Sequence, residues 1–199
     1  MKEVMAMVKT QVGIYTIVIA LFLVGVFLLE HIVKNSLRKR TCYWLMLIVY
    51  CGAVTWFTLL SRQPLSKRIA LLDPFRSYPL AHQGYLDNIA AAAKDGTVTA
   101  LEKIRSFLYS YNWLILNVLL FIPYGILTSE LFTKKRSELF LCGVFIVAMI
   151  ELAQYASRLG CLDIDDMIHN TIGIGIGLLL AKLLPSKQPA VRSGEERNG

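Results

Sequence analysis

Five unbroken apolar blocks, each separated from the next by polar or charged chain, constrain this sequence more than any other feature. A soluble domain of 199 residues interleaves apolar and polar side chains. Blocks near ~20 residues instead match a hydrocarbon core of ~30 Å, at ~1.5 Å rise per helical residue. The blocks cover residues 12–29, 42–60, 111–132, 139–156 and 163–184, and Pro185 stops the last. They predict an all-α, polytopic transmembrane helical bundle with about five transmembrane helices. The first block is longer than a signal-peptide core and no small-residue cleavage site follows it, so it reads as a retained helix. The tail over 185–199 is polar and rich in charge, the composition of a disordered segment.

The net charge of +7 would suggest nucleic acid in a soluble protein. Here the basic residues sit in short clusters between apolar blocks, where they set topology and meet anionic lipid headgroups. The partners this implies are membrane lipids, with no nucleic acid. Basic residues divide almost evenly between the two sides, so the short loops decide the orientation. The tight basic connections 31–41 and 133–138 belong in the cytoplasm, which places the amino terminus outside and the carboxyl terminus inside. The four cysteines show no ligand spacing and read as small apolar residues.

The connection over 61–110 is then on the outer surface. Thr99 and Glu102 have capping-box form, and Leu101, Ile104, Leu108 and Tyr111 fall on one face of the helix that follows. Such a helix lies in the interface plane. Residues 86–93 suggest a second short helix.

Polar side chains inside a span are costly and call for a partner, a cavity or a role. Glu151, Gln154 and Arg158 share one face of the fourth block. Asp166, Asn170, Gly173 and Gly177 form a stripe on the fifth, and its glycines allow close helix approach. Asn117 lies at similar depth on the third. The expectation is one outward-opening polar cluster of Asn117, Glu151, Gln154, Arg158, Asp166 and Asn170, a candidate ligand-binding site. Arg158 would neutralise Glu151 or Asp166. A purely structural cluster of interhelical hydrogen bonds explains the same residues. Asp163 stands where a helix N-cap belongs. A metal site could be drawn from Glu151, Asp165, Asp166 and His169, but one histidine without metal-ligand spacing points to no metal, and nothing calls for a cofactor. Glu151 and Asp166 are the candidates for any acid–base chemistry. Pro123, inside the third block, predicts a kink.

Together these residues resemble the VanZ-like family of bacterial membrane proteins. Leu72-Asp73-Pro74-Phe75 is similar to its first short element, although Asp73 departs from the usual residue there. Asn117 through Gly125, reading NVLLFIPYG, is close to the second. Glu151-Leu-Ala-Gln154 with Asp163-Ile-Asp-Asp166 and Asn170-Thr-Ile-Gly173 is similar to the third. The resemblance covers about 41–184, which makes 1–40 an additional helix with its basic connection, ahead of a four-helix membrane domain. Pro74, Phe75, Pro123, Gly125, Gly173 and Gly177 are expected to have structural roles. The resemblance implies a role in the Gram-positive cell envelope, because the namesake raises teicoplanin resistance. The expected function is binding of a lipid, a lipid-linked wall precursor or the lipoglycopeptide at the outer leaflet. The alternative is a membrane-embedded enzyme acting on an envelope lipid or polyprenyl-linked precursor. A transporter is less favoured, because no internal repeat is visible. The oligomeric state is left open.

Overall fold

A computed structural model describes residues 20–29, 31–93 and 96–184. The start of the first apolar block and the tail over 185–199 lie outside the described residues. Seven helices are described: α1 (Ala20–Leu29), α2 (Ser36–Thr55), α3 (Ser77–Ala93), α4 (Ala100–Ser110), α5 (Asn112–Leu131), α6 (Arg136–Ser157) and α7 (Ile164–Leu180). A π-helical turn over Trp56–Leu60 extends α2. Two short strands, β1 (Ala70–Leu71) and β2 (Leu162–Asp163), pair in parallel.

Three of these segments are long and apolar enough to cross a membrane: Ser36–Leu60, Asn112–Leu131 and Arg136–Ser157. The second of the expected spans begins earlier than its apolar block. The Asn35 side chain accepts the Arg38 N–H at 3.0 Å, and the basic residues that follow are good helix formers. Arg38, Lys39 and Arg40 therefore ride on the first turns of α2 and not on a loop.

The connection between α2 and α5 is more ordered than its composition suggests. Pro79 looks like a breaker in the sequence, but it occupies the first turn of α3, where its missing N–H costs nothing. The helix consequently runs over Ser77–Ala93 and not only its last two turns. Thr99 Oγ1 accepts the Glu102 N–H at 3.3 Å, and Glu102 returns the bond to the Thr99 N–H at 2.8 Å. That capping box starts α4, which folds back on α3 through Asn88 Nδ2 to Ser110 Oγ at 3.2 Å. No residue of α4 is buried, and Leu101, Ile104 and Leu108 all face outward.

At the centre stands α5, buried continuously from Phe121 to Thr128. Its closest neighbour is α7. A Cβ on Gly173 would run into the Val118 carbonyl, and one on Gly177 into that of Ile122. On the opposing helix, a Cβ on Gly125 would meet the Ile174 carbonyl. The two backbones touch along a line of glycines, the small-residue contact that lets membrane helices gain van der Waals packing. Pro123 lies inside α5, and the Tyr50 hydroxyl donates to the Leu120 carbonyl one turn before it, at 3.1 Å. Helices α2 and α6 flank α5 on either side.

Candidate functional site

One end of the bundle concentrates the polar chemistry, where α6 stops, α7 starts and the chain after α2 returns across both. Arg158 ends α6 in the left-handed conformation, with φ 61°. Its carbonyl accepts the Leu65 N–H at 2.7 Å, and the Leu162 N–H donates to the Ile69 carbonyl at 3.0 Å. The β1–β2 pairing continues this contact, Ala70 against Leu162 and Leu71 against Asp163. The segment from Arg62 to Leu71 is thus strapped to the turn between α6 and α7.

The strap ends in a loop held by one carboxylate. Asp165, 1% exposed, accepts the Phe75 N–H through Oδ1 and the Ser77 N–H through Oδ2. Phe75 has φ 62°, a conformation that costs free energy in a residue with a Cβ and persists only where neighbours fix it. Pro74, beside it, is exposed. Asp163 caps α7 by accepting the Asp165 N–H at 2.9 Å, and its second oxygen lies 3.6 Å from Arg76 Nη2.

The residues singled out in the sequence occupy this same end. Glu151, 2% exposed, accepts the Asp163 N–H at 3.2 Å. Asn117 donates from α5 to Asp166 on α7. Gln154 donates to the Thr58 carbonyl at 3.0 Å, tying α6 to the π-helical turn after α2. Asn170 is buried one turn beyond Asp166. Three buried polar atoms carry no hydrogen-bond partner among the described residues: Arg76 Nε, Gln154 Oε1 and Asn170 Oδ1. The Ser77 hydroxyl and the His169 ring both interact with Asp165. All of these residues lie at this end.

Arg158 is not part of the arrangement. The residue sits in the left-handed turn after the helix, is exposed, and forms no ion pair among the described residues. Arg62 stands where the cation was expected. Its Nη1 lies 2.9 Å from where a Cβ on Gly160 would be, and Gln154 Oε1 lies 3.1 Å from the same point. The Arg62 charge acts on both Glu151 and Asp166. The sequence offered one clue to it, an arginine two residues beyond the apolar block of α2.

Tyr78, Ser77 and Arg76 also escaped the sequence reading, because nothing local marks a loop that folds back over α7. His169 turns towards that loop, with Nε2 2.9 Å from the Tyr78 hydroxyl. Among the described residues no three His, Cys, Asp or Glu side chains come together as a metal-ligand group. What the site offers is a set of carboxylates and amides, with two arginines at its edge. That chemistry suits a polar or partly cationic headgroup, or proton transfer between carboxylates.

The three sequence elements from 72–75, 117–125 and 151–173 meet here, although the last of them begins, at Glu151, 79 positions after Leu72. No curated protein and no solved structure matches the chain. A match to the VanZ/LLP1 family covers residues 40–185, from the second turn of α2 to just beyond α7. With its apolar helices, this makes the chain a membrane protein of the VanZ/LLP1 family.

Proposed function

We propose that this protein binds the polar headgroup of an amphiphile at the polar end of the bundle, and that it thereby contributes to teicoplanin or lipoglycopeptide tolerance in a Gram-positive envelope. The ligand class is a lipid, a lipid-linked wall precursor or the lipoglycopeptide. The observation that carries the reading is the group of buried polar atoms without a partner among the described residues, Arg76 Nε, Gln154 Oε1 and Asn170 Oδ1. A buried donor or acceptor without a partner costs about 1–3 kcal/mol, so a purely structural cluster would have been expected to satisfy them. Asn117, Glu151, Gln154, Asp166 and Asn170 form the binding face in this reading, with Arg62 as the cation beside it.

The membrane arrangement belongs to the same proposal. Five spans cross the bilayer, α1 and α7 supplying the two beyond the three long apolar segments. The amino terminus is outside, and α4 rests on the outer interface through Leu101, Ile104 and Leu108. Reporters fused after Lys39 or Arg136 should be cytoplasmic, and a cysteine at Gly96 should label from outside. Labelling only after permeabilisation reverses the orientation. Replacing the three α4 side chains with serine removes ~1.5–3 kcal/mol of burial each, and protease cleavage around α4 should then increase.

The binding claim is tested by Glu151→Gln combined with Arg62→Gln in a teicoplanin-susceptible host. The neutral pair should accumulate as folded protein and fail to confer tolerance. Full tolerance from that variant removes both residues from the site. Mass spectrometry of envelope lipids and wall precursors separates binding from catalysis: unchanged species are expected, and a new one would assign Glu151 and Asp166 to acid–base chemistry instead.

A further inference from the structure

Between the polar site and the opposite end of the bundle, α2 and α6 flank α5 without closing on each other. Between them runs a crevice of about 520 Å³. Its floor is Phe121 and Tyr124 of α5, and its walls include Tyr50 of α2 with Cys142 and Ile146 of α6. The Gln154–Thr58 hydrogen bond lies one turn beyond Ile150 and Val54 at its upper end, and Lys134 stands at its foot. The size falls in the range of ligand pockets, ~300–1,000 Å³.

Length and charge identify the occupant. The α6 wall extends from Leu139 to Ile150, and at ~1.5 Å per residue that is roughly 16 Å. One leaflet of a ~30 Å hydrocarbon core is about as deep, so the crevice matches one acyl chain and not a chain crossing both leaflets. At its foot, Lys134, Lys135 and Arg136 follow one another. The ring of Trp44 on α2 meets that of Phe132 at 5.6 Å, which brings the exposed Arg38 and Arg40 of the first turns of α2 to the same end. Glu138 offsets one charge, pairing with Lys134 at 3.8 Å in an exposed contact of the weak kind. The apolar trough therefore ends in a surplus of positive charge.

We propose that this crevice binds one acyl chain of an anionic phospholipid, whose phosphate lies on the basic turn between α5 and α6. The site is separate from the headgroup site proposed above, and neither requires the other.

The test is native mass spectrometry of the full chain released from vesicles of equal phosphatidylglycerol and phosphatidylcholine. Each basic residue near an anionic lipid is worth about fivefold in binding, so retained lipid should be phosphatidylglycerol by at least about fivefold. Lys134→Gln with Lys135→Gln should lower that ratio by at least about fivefold, leaving the preference that Arg136, Arg38 and Arg40 supply. Cys142→Trp fills the wall and should remove the retained lipid whatever its headgroup. Ile146→Trp fills the same wall and replaces it if Cys142→Trp does not accumulate. Equal retention of both lipids by the unmodified chain overturns the proposal, as does unchanged retention in the filled variants.

Discussion

Asp165 accepts the backbone N–H of Phe75, a residue 90 positions earlier in the chain. The same carboxylate takes the Ser77 N–H at 2.8 Å. One side chain at the start of α7 therefore fixes both the left-handed Phe75 and the first residue of α3. Asp165→Ala leaves two amides without their acceptor, at about 1–3 kcal/mol for each that stays buried. Asp165→Asn retains one acceptor oxygen and should lose less. Thermal unfolding in detergent, with protease cleavage between residues 61 and 76, should rank them wild type, Asn, Ala. Equal unfolding of Asp165→Ala and wild type would sink the role given to this carboxylate.

The glycine line between α5 and α7 gives a sharper contrast. Gly173→Ala and Gly177→Ala each drive a methyl group into a backbone carbonyl, and overpacking of this kind costs ~1–3 kcal/mol. Gly175, on another face of α7, would bring its Cβ no closer than 3.8 Å to Phe140. Gly175→Ala should leave the unfolding midpoint of the purified protein close to that of the wild type. A similar loss at all three positions would mean that α5 and α7 do not meet along this line.

Arg62 and Arg158 should behave differently although the sequence makes them look alike. Arg158 is exposed, so Arg158→Gln should stay within about ±0.5 kcal/mol in stability. Arg62 is exposed as well, but its guanidinium reaches in beside buried Gly160 and Gln154, on the side of Glu151, and Arg62→Gln should cost about 0.5–3 kcal/mol. Glu151→Gln should recover part of that loss. Folded yield after membrane extraction measures all three, and a larger loss at Arg158 than at Arg62 contradicts the assignment.

These two arginines mark the boundary of what the sequence makes legible. Periodicity puts Glu151, Gln154 and Arg158 on one face, which holds for as long as α6 continues. The helix ends at Ser157, and Arg158 sits in the left-handed turn after it. That turn is supported by Leu65, whose N–H reaches the Arg158 carbonyl across the whole intervening chain, and spacing cannot reveal such a contact. Asn117 and Asp166 were legible as neighbours because apolar blocks of similar length fix their depth. The glycine stripe was legible because small residues at four-residue spacing have one main use in a membrane. The extent of α3 was not, since Pro79 reads as a breaker until its position in the first turn is known.

A pH dependence is expected at α4. The Glu102 carboxyl is held below its ordinary value of 4.5, chiefly by the Thr99 backbone N–H and then by the Thr99 hydroxyl. A lowered folded-state value stabilises the helix start above pH 4.5, and that contribution disappears as pH falls through the folded value. The protection of α4 amides, taken relative to the intrinsic exchange rate at each pH, should fall below that pH. Glu102→Gln should exchange faster at neutral pH and show little further change on acidification. An acid response of the same size in Glu102→Gln would place its origin elsewhere.

The parallel pairing of Ala70 with Leu162 imposes a timetable on synthesis. A chain made from its amino terminus releases β1 and the Phe75 loop long before β2 and Asp165 exist. Until α7 has been made, α2, α5 and α6 can assemble, but the strap has nothing to fasten to. The last helix to emerge brings Asp163, Asp165 and Asp166 together, so the polar end is completed in a single late event. A ribosome that stalls before residue 163 leaves a nascent protein with its loop undone, exposed to the proteases that survey unfinished membrane chains.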